Sequence, residues 1–442
     1  MKKNNQSLFL YTFITVLGGL IFGLNMAGIS GAIPFIREYF GLDDMTLGFV
    51  VSILTIGCLC GAIMGGRFGD QFGRKRVMLF SAILFIISSV GCSVSSGIYG
   101  LMIFRLIGGF GVGMISAVVP VYISEISPAK LRGTLVSYNQ LAVVIGILIA
   151  YIVDYILLNN ENNWRMMLGF PLIFSIVYIL LLFILPESPR WLYMKGQTDK
   201  AGRTIEKLGL SKQEFDNVTP TGKAEKDGMQ LKSLFKGKLA KILIIGSLLA
   251  AFQQITGINV IINYAPTIFE MTGVAGDTAL IQSIYVGIVN LLFTLVAVWL
   301  VDRLGRKVLL LCGCAGMILS LLYLIYTFIV PSANGIGALI AVLCYIGFFA
   351  ASLAPVMWVV TSEIYPSRIR GTAMSVSTGI SWLCTFLTVQ FFPWILNNLG
   401  GSIAFGIFAA FSVVAFIFIL VYIPETKGKS LEQIEKELGL NE

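Results

Sequence analysis

Long apolar runs separated by polar breaks dominate the chain. They fall near residues 8–33, 47–66, 77–97, 99–122, 133–156 and 166–185, and again near 241–268, 279–301, 308–330, 336–361, 371–391 and 403–423. A helix rises about 1.5 Å per residue and needs roughly 20 apolar residues to cross the hydrocarbon of a bilayer, so each run predicts one spanning helix. The pattern is six spans, a polar gap and six more. It describes an all-α membrane protein of twelve transmembrane helices in two six-helix halves. The expected boundaries are an N-terminal half over 1–185, a cytoplasmic linker with short helices over 186–240, a C-terminal half over 241–423 and a cytoplasmic tail over 424–442. Within the linker, Asp199–Leu208 has the spacing of a short amphipathic helix lying under the membrane face.

Composition fits this reading. Of 442 residues, 57% are hydrophobic and only 12% charged, against roughly 25% charged in soluble domains. Such a chain cannot coat a water-soluble surface of its own length. The formal charge of +8 would suit a nucleic-acid partner if it formed a patch. Instead, all but Arg37, Arg165 and Arg105 of the 31 Lys and Arg fall in the termini and in loops on one side of the predicted bilayer. This is the positive-inside asymmetry; it places both termini in the cytoplasm and leaves no nucleic-acid surface. Met1-Lys2-Lys3 and the apolar run after it look like a signal peptide. The run is too long and lacks a small-x-small cleavage site, so it reads as the first span.

The absence of histidine removes His-ligated metals, Ser-His triads and imidazole shuttles. All seven cysteines (58, 60, 92, 312, 314, 344 and 384) lie inside apolar runs, and their C-x-C pairs lack zinc spacing. No metal, cofactor or enzyme chemistry is implied.

The two halves repeat each other. Asp70-Gln-Phe-Gly-Arg74-Lys75 returns as Asp302-Arg-Leu-Gly-Arg306-Lys307 after 232 positions. Ser124-Glu125-Ile-Ser-Pro128-Ala-Lys-Leu-Arg132-Gly133 returns as Ser362-Glu363-Ile-Tyr-Pro366-Ser-Arg-Ile-Arg370-Gly371, and Pro186-Glu187-Ser188 as Pro424-Glu425-Thr426, both after 238. Three motifs in one order at nearly one offset mark an internal duplication, as in secondary transporters with a midplane site between halves.

These motifs, with Pro186-Glu-Ser-Pro-Arg190-Trp191 and Gln253-Gln254-x-x-Gly257-Ile-Asn259, resemble the sugar porter branch of the major facilitator superfamily over nearly the whole chain. The resemblance implies the major facilitator fold, alternating access, a monosaccharide substrate (glucose or a related aldose), a multi-pass cell-membrane location and a monomer in the bilayer.

The seventh span gathers Gln253, Gln254, Thr256, Asn259, Asn263 and Tyr264. At about 100° per residue all but Gln254 share an arc of roughly 140°, and unwinding at Gly257 or Pro266 would bring Gln254 to the same side. Amides suit a sugar because amides and hydroxyls both donate and accept. The plainer reading of such a cluster is hydrogen bonding between helices. By resemblance, Gln140, Gln253, Gln254, Asn259, Asn290 and Trp358 match sugar-contacting positions, and Tyr264 and Trp382 match family aromatics. Trp358 offers a flat apolar face to a pyranose. Ser381 and Thr385 depart from the Gln or Asn that relatives often carry.

Coupling turns on the first span. Proton symporters of the family commonly read F-G-x-Asp there; this chain reads Phe22-Gly23-Leu24-Asn25. An amide does not titrate. Arg105 is the one deep charge, and the resemblance sets it near Asn25 in a water-accessible position. Asp154 sits near the outer end of the fifth span, where a solvated helix-end residue is expected. Without a proton carrier the expected mode is uncoupled facilitated diffusion. Proton–sugar symport, with Asp154 or another group in place of the missing carboxylate, is the alternative, and a non-transporting sugar receptor a third, which the short tail disfavours. Asp70, Arg74, Glu125 and Arg132, with Asp302, Arg306, Glu363 and Arg370, are expected to form a cytoplasmic gate of exposed ion pairs clamping the inner ends of the halves.

Overall fold

The computed structural model describes residues 2–128, 131–208, 210, 237–330, 335–366, 370–427, 429 and 433. Among these there are helices and no strands. The first part comprises α1 (Lys2–Ala27), α2 (Ile33–Phe40), α3 (Asp44–Phe72), α4 (Arg74–Val94), α5 (Ile98–Ile126) and α6 (Arg132–Leu157). It continues through α7 (Asn163–Gly169), α8 (Pro171–Leu182), α9 (Pro189–Met194) and α10 (Thr198–Leu208). The second part comprises α11 (Gly237–Ile255), α12 (Ile258–Glu270), α13 (Gly276–Leu304) and α14 (Arg306–Ile329). It ends with α15 (Ile336–Ala351), α16 (Leu353–Ile364), α17 (Arg370–Leu399) and α18 (Gly401–Tyr422).

Twelve of the apolar stretches so formed are long enough to cross a membrane. Their outward side chains, such as Leu180, Leu319 and Val421, are large, apolar and exposed, as lipid-facing positions must be. Three spans are each built from two helices: the sixth (α7–α8), the seventh (α11–α12) and the tenth (α15–α16). The breaks have local causes. Pro171 starts α8, Gly257 stands at φ 101°, and Ser352 leaves the helical region at φ −129°, ψ −85°.

The first span is shorter than its apolar run. Helix α1 stops at Ala27, the chain turns through Gly28–Ala32, and α2 begins with Pro34 in its first turn, where a missing N–H costs nothing. Helix α10 buries Ala201, Thr204, Ile205 and Leu208 on one face.

The packing forms two compact units. One is built from Met1–Met26, Ile56–Ile149 and Leu168–Gly228. The other is built from Ala27–Thr55, Ala150–Met167 and Met229–Glu442. In the first, Gly57 and Gly61 of α3 lie directly on the α5 backbone at Leu106 and Phe110, the close approach that small residues allow between membrane helices.

Candidate substrate site

The seventh span breaks where its sequence permits. With Gly257 in the left-handed region, the Thr256 carbonyl loses its helical partner and accepts the Tyr345 hydroxyl of α15 at 2.9 Å, as a buried carbonyl must find a donor. The break also turns Gln254 toward Asn259. Asn259 Nδ2 donates to Gln254 Oε1 at 2.6 Å, and Gln254 Nε2 donates to Gln253 Oε1 at 3.0 Å. Gln253 Nε2 donates in turn to the Leu353 and Ala354 carbonyls at the start of α16. The result is a relay running one way, from Asn259 through two glutamines to the α16 backbone. Gln253 is 4% exposed and spends its amide within the relay. Gln254 and Asn259 each keep a second N–H, and Asn259 keeps Oδ1, beyond their described bonds.

The other expected contacts divide. Asn290 on α13 is buried, and Trp358 on α16 and Trp382 on α17 are half-buried, all in the second unit. Gln140 stands exposed on α6 in the first unit. Asn263 donates to the Asn259 carbonyl, and Thr256 bonds the Gln253 carbonyl; both hydroxyl and amide serve the span itself. The Tyr264 hydroxyl is committed to the Val389 carbonyl at 3.1 Å and its ring packs on Phe392. Thr385 likewise donates back to the Ser381 carbonyl, so the two family departures on α17 add little to a polar lining.

Asn25 donates to the Ile21 carbonyl one turn back at 2.9 Å, and its Oδ1 and Ser88 Oγ both face Gly108 of α5. Arg105, one turn before Gly108, is 3% exposed, which corrects the expected water-accessible position. The thiols of Cys58 and Cys92 lie within reach of its charge; packing of α3 and α4 around α5 has closed water off.

Asp154 also departs from expectation. It is not a solvated helix end: the residue is 1% exposed, and its Oδ2 accepts the Gly31 N–H at 2.9 Å. The reason is the turn after α1, which folds back over the end of α6. The same end of the second unit is fastened at several further points. Ser52 donates to Gln390 Oε1 and Gln390 Nε2 to the Met45 carbonyl, both at 2.9 Å. Asp44 accepts from Arg37 and from Asn397, both at 2.7 Å, and Tyr151 donates to the Ile262 carbonyl.

The charged loops form two networks, one in each repeat. Arg74 meets Glu125 at 3.0 Å and Asp70 at 2.9 Å and donates to the Gly69 carbonyl. The Arg74 and Glu125 side chains are each only 6% exposed. Arg306 meets Glu363 at 3.3 Å and donates to the Val301 carbonyl. Arg132 donates to the Ser124 carbonyl; the side chains of Asp302 and Arg370 lie outside the described residues. The expected clamp of exposed pairs between halves is thus corrected: each described pair joins residues of one repeat, and Arg74–Glu125 is buried, because the start of α4 abuts the end of α5.

Sequence reasoning missed what the Pro-Glu-Ser and Pro-Glu-Thr repeats do. Glu187 accepts the N–H groups of Arg74, Lys75 and Ser188, and Glu425 those of Arg306, Lys307 and Lys427. Each carboxylate caps the positive end of the helix that opens its charged loop. Gly73 and Gly305 precede those helices at φ 102° and 90°, and a Cβ on either would meet the carboxylate. The rest of the PESPRW segment is equally occupied. The Pro186 carbonyl accepts from Tyr122, Ser188 caps α9, and Trp191 Nε1 donates to the Asp70 carbonyl. Burial pushes the Glu187 carboxyl above its ordinary value despite those N–H groups. Burial also raises Glu425, but the N–H groups of Lys427, Arg306, Lys307 and Thr426 outweigh it and hold it low. The recurrence of the motif was a readable signal; its task was not.

The family model "Sugar (and other) transporter" matches residues 11–438. The chain is 35% identical to the arabinose-proton symporter of Bacillus subtilis, covering 95% of this chain and 92% of that one. It is 38% identical to the glucose transporter GlcP of Staphylococcus epidermidis, covering 99% and 98%. The inward-open structure of the xylose transporter XylE from E. coli superposes with a TM-score of 0.85 at 34% identity, covering 97% and 99%. With the family model running through all twelve spans and the relatives matched end to end, this multi-pass plasma-membrane protein belongs to the sugar transporter family of the major facilitator superfamily and moves sugar rather than transforming it.

Proposed function

We propose that this carrier passes a monosaccharide, glucose or a related aldose, down the sugar's own gradient by alternating access, with both chain termini in the cytoplasm. Gln254 and Asn259 bind the sugar hydroxyls, with Asn290, Trp358 and Trp382 of the same unit supplying the remaining donors and the apolar ring faces; Gln140 is carried by resemblance. The observation that carries the uncoupled mode is Asn25, an amide bonded to its own helix where a titrating carboxylate stands in proton symporters of the family.

The test is uptake in sealed vesicles with and without a protonophore. Sugar should equilibrate at the same rate in both, with no alkalinisation outside. Concentrative accumulation that a protonophore abolishes would refute the uncoupled reading and leave sugar transport standing. Asn25→Asp should introduce a dependence on pH that the parent lacks at this position.

Proton–sugar symport is the second reading. The relatives whose names state a proton partner favour it, and so does the enclosure of Asp154.

A further inference from the structure

The uncoupled reading leaves Asp154, buried in the fifth span, without a task. Asp154 lies near the end of α6 with one carboxylate oxygen on the Gly31 N–H. The other, Oδ1, is buried and has no hydrogen-bond partner among the described residues. The fit is tight: a Cβ added to Gly31 would come within 2.6 Å of Asp154 Cβ.

The surrounding charges do not compensate it. On α6 the titratable neighbours are the exposed Tyr155 and the buried Tyr151, whose hydroxyl is already given to the Ile262 carbonyl on α12. From the turn after α1 the contact is backbone alone. The charged groups at this end of the adjoining elements are Arg37 and Glu38 on α2, Asp43 and Asp44 at the start of α3, Glu161 and Arg165 around the start of α7 and Glu270 at the end of α12. Arg37 and Asp44 bind each other, and Asp154 forms no ion pair among the described residues. A carboxylate removed from water with a single N–H and no cation is the costly form of the group; the neutral acid is the form such an enclosure accepts.

The enclosure is conditional. Gly31–Asp154 joins two elements of the first repeat and lies beside three bonds that join the repeats at this end: Ser52–Gln390, Asp44–Asn397 and, one turn before Asp154 on α6, Tyr151–Ile262. A carrier that alternates must break the three bonds between repeats to open that end; this frees the Tyr151–Asp154 turn of α6, wets Asp154 and lets it ionise as aspartates in water do.

We propose that Asp154 is a proton-binding site of this end of the carrier: it takes a proton when the end closes and returns it to the same solution when the end opens. The inference rests on the orientation and the alternating access proposed above. Written out, closing converts the carboxylate and one proton from the outer solution into the buried acid, and opening reverses this. No proton crosses the membrane, so the site tunes a downhill carrier instead of driving an uphill one. Acid outside favours the closed end, and the fraction of carriers able to receive outer sugar falls with it.

The experiment measures uptake into sealed right-side-out vesicles, with outer pH varied between about 5 and 7.5, above the ordinary aspartate range of about 3.9, and inner pH clamped. The half-saturating outer sugar concentration should rise as outer pH falls, by up to about tenfold per unit, with no proton flux accompanying sugar. In Asp154→Asn the profile should be flat. Asp154→Ser, which keeps a small hydroxyl and no acid, guards against a folding failure and should be flat as well. A pH dependence that survives both substitutions, or one that follows inner pH, overturns the site and leaves uncoupled transport intact. Protons entering with sugar in the parent and lost in both variants would instead overturn the uncoupled reading, with Asp154 as a true coupling residue.

Discussion

The loop that opens α4 and the loop that opens α14 carry the same Asp, Gly, Arg and Lys 232 positions apart, yet they differ in depth. Arg74 and Glu125 are each 6% exposed, whereas Arg306 and Glu363 are 14% and 23% exposed and lie 3.3 Å apart rather than 3.0 Å. The capping carboxylates follow suit. Glu187 is enclosed enough that burial lifts it above its ordinary value, while the shallower Glu425 is held below it by four backbone N–H groups. Duplication copied the bonds; the local packing decided what each bond is worth. A wiring pattern of Arg on carbonyl, Arg on Glu and Glu on helix start can therefore serve as a rigid brace in one repeat and a looser one in the other.

The largest difference should appear on removing the cations. Arg74→Ala leaves Glu125 buried without its partner, which costs about 3–5 kcal/mol. Arg306→Ala breaks a wetter pair and costs about 1 kcal/mol. Thermal unfolding in detergent compares the two variants, and equal losses would show that depth is not what separates the networks.

A smaller effect is expected at the glycines. Gly73→Ala and Gly305→Ala both force a left-handed residue, at about 1–3 kcal/mol. The Glu187 carboxylate lies closer to the added methyl than Glu425 does, so Gly73→Ala should unfold at the lower temperature. The reverse order would place the strain elsewhere in the loops.

The smallest effect is one of sign. Glu187, raised by burial, contributes most below the ordinary glutamate range of about 4.3 and loses that contribution as pH rises through its own higher value. Glu425, lowered, contributes above that range and loses as pH falls through its own lower value. Acidification should thus loosen the amides of Arg306 and Lys307 relative to those of Arg74 and Lys75. Hydrogen exchange, corrected for intrinsic rates, reads this directly; movement of both pairs in one direction would contradict the assignment.

Much of the fold was legible because membrane spans announce themselves as apolar runs and the loop motifs recur in order. Gln254 was recoverable only through Gly257, since a straight helix points it away from Asn259. Helix α2 was not legible: it extends an apolar run, and only the Gly28–Ala32 turns separate it from α1. Asp154 was misread because its partner is a backbone N–H 123 positions away, which no side-chain pattern records. Arg105 was placed in water by the family resemblance, and the packing of α3, α4 and α5 that buries it was not readable from the residues one helix at a time.

The amide relay of the seventh span has a polarity. Every N–H in it points toward α16, so the open end is an acceptor, Asn259 Oδ1. If sugar binds as proposed, the hydroxyl that docks on this oxygen donates its hydrogen and joins the row. On the sugar binding proposed above, a deoxyfluoro sugar with fluorine at that carbon keeps the shape of its parent but has no hydrogen to give Oδ1, and it should be carried less well than the parent sugar.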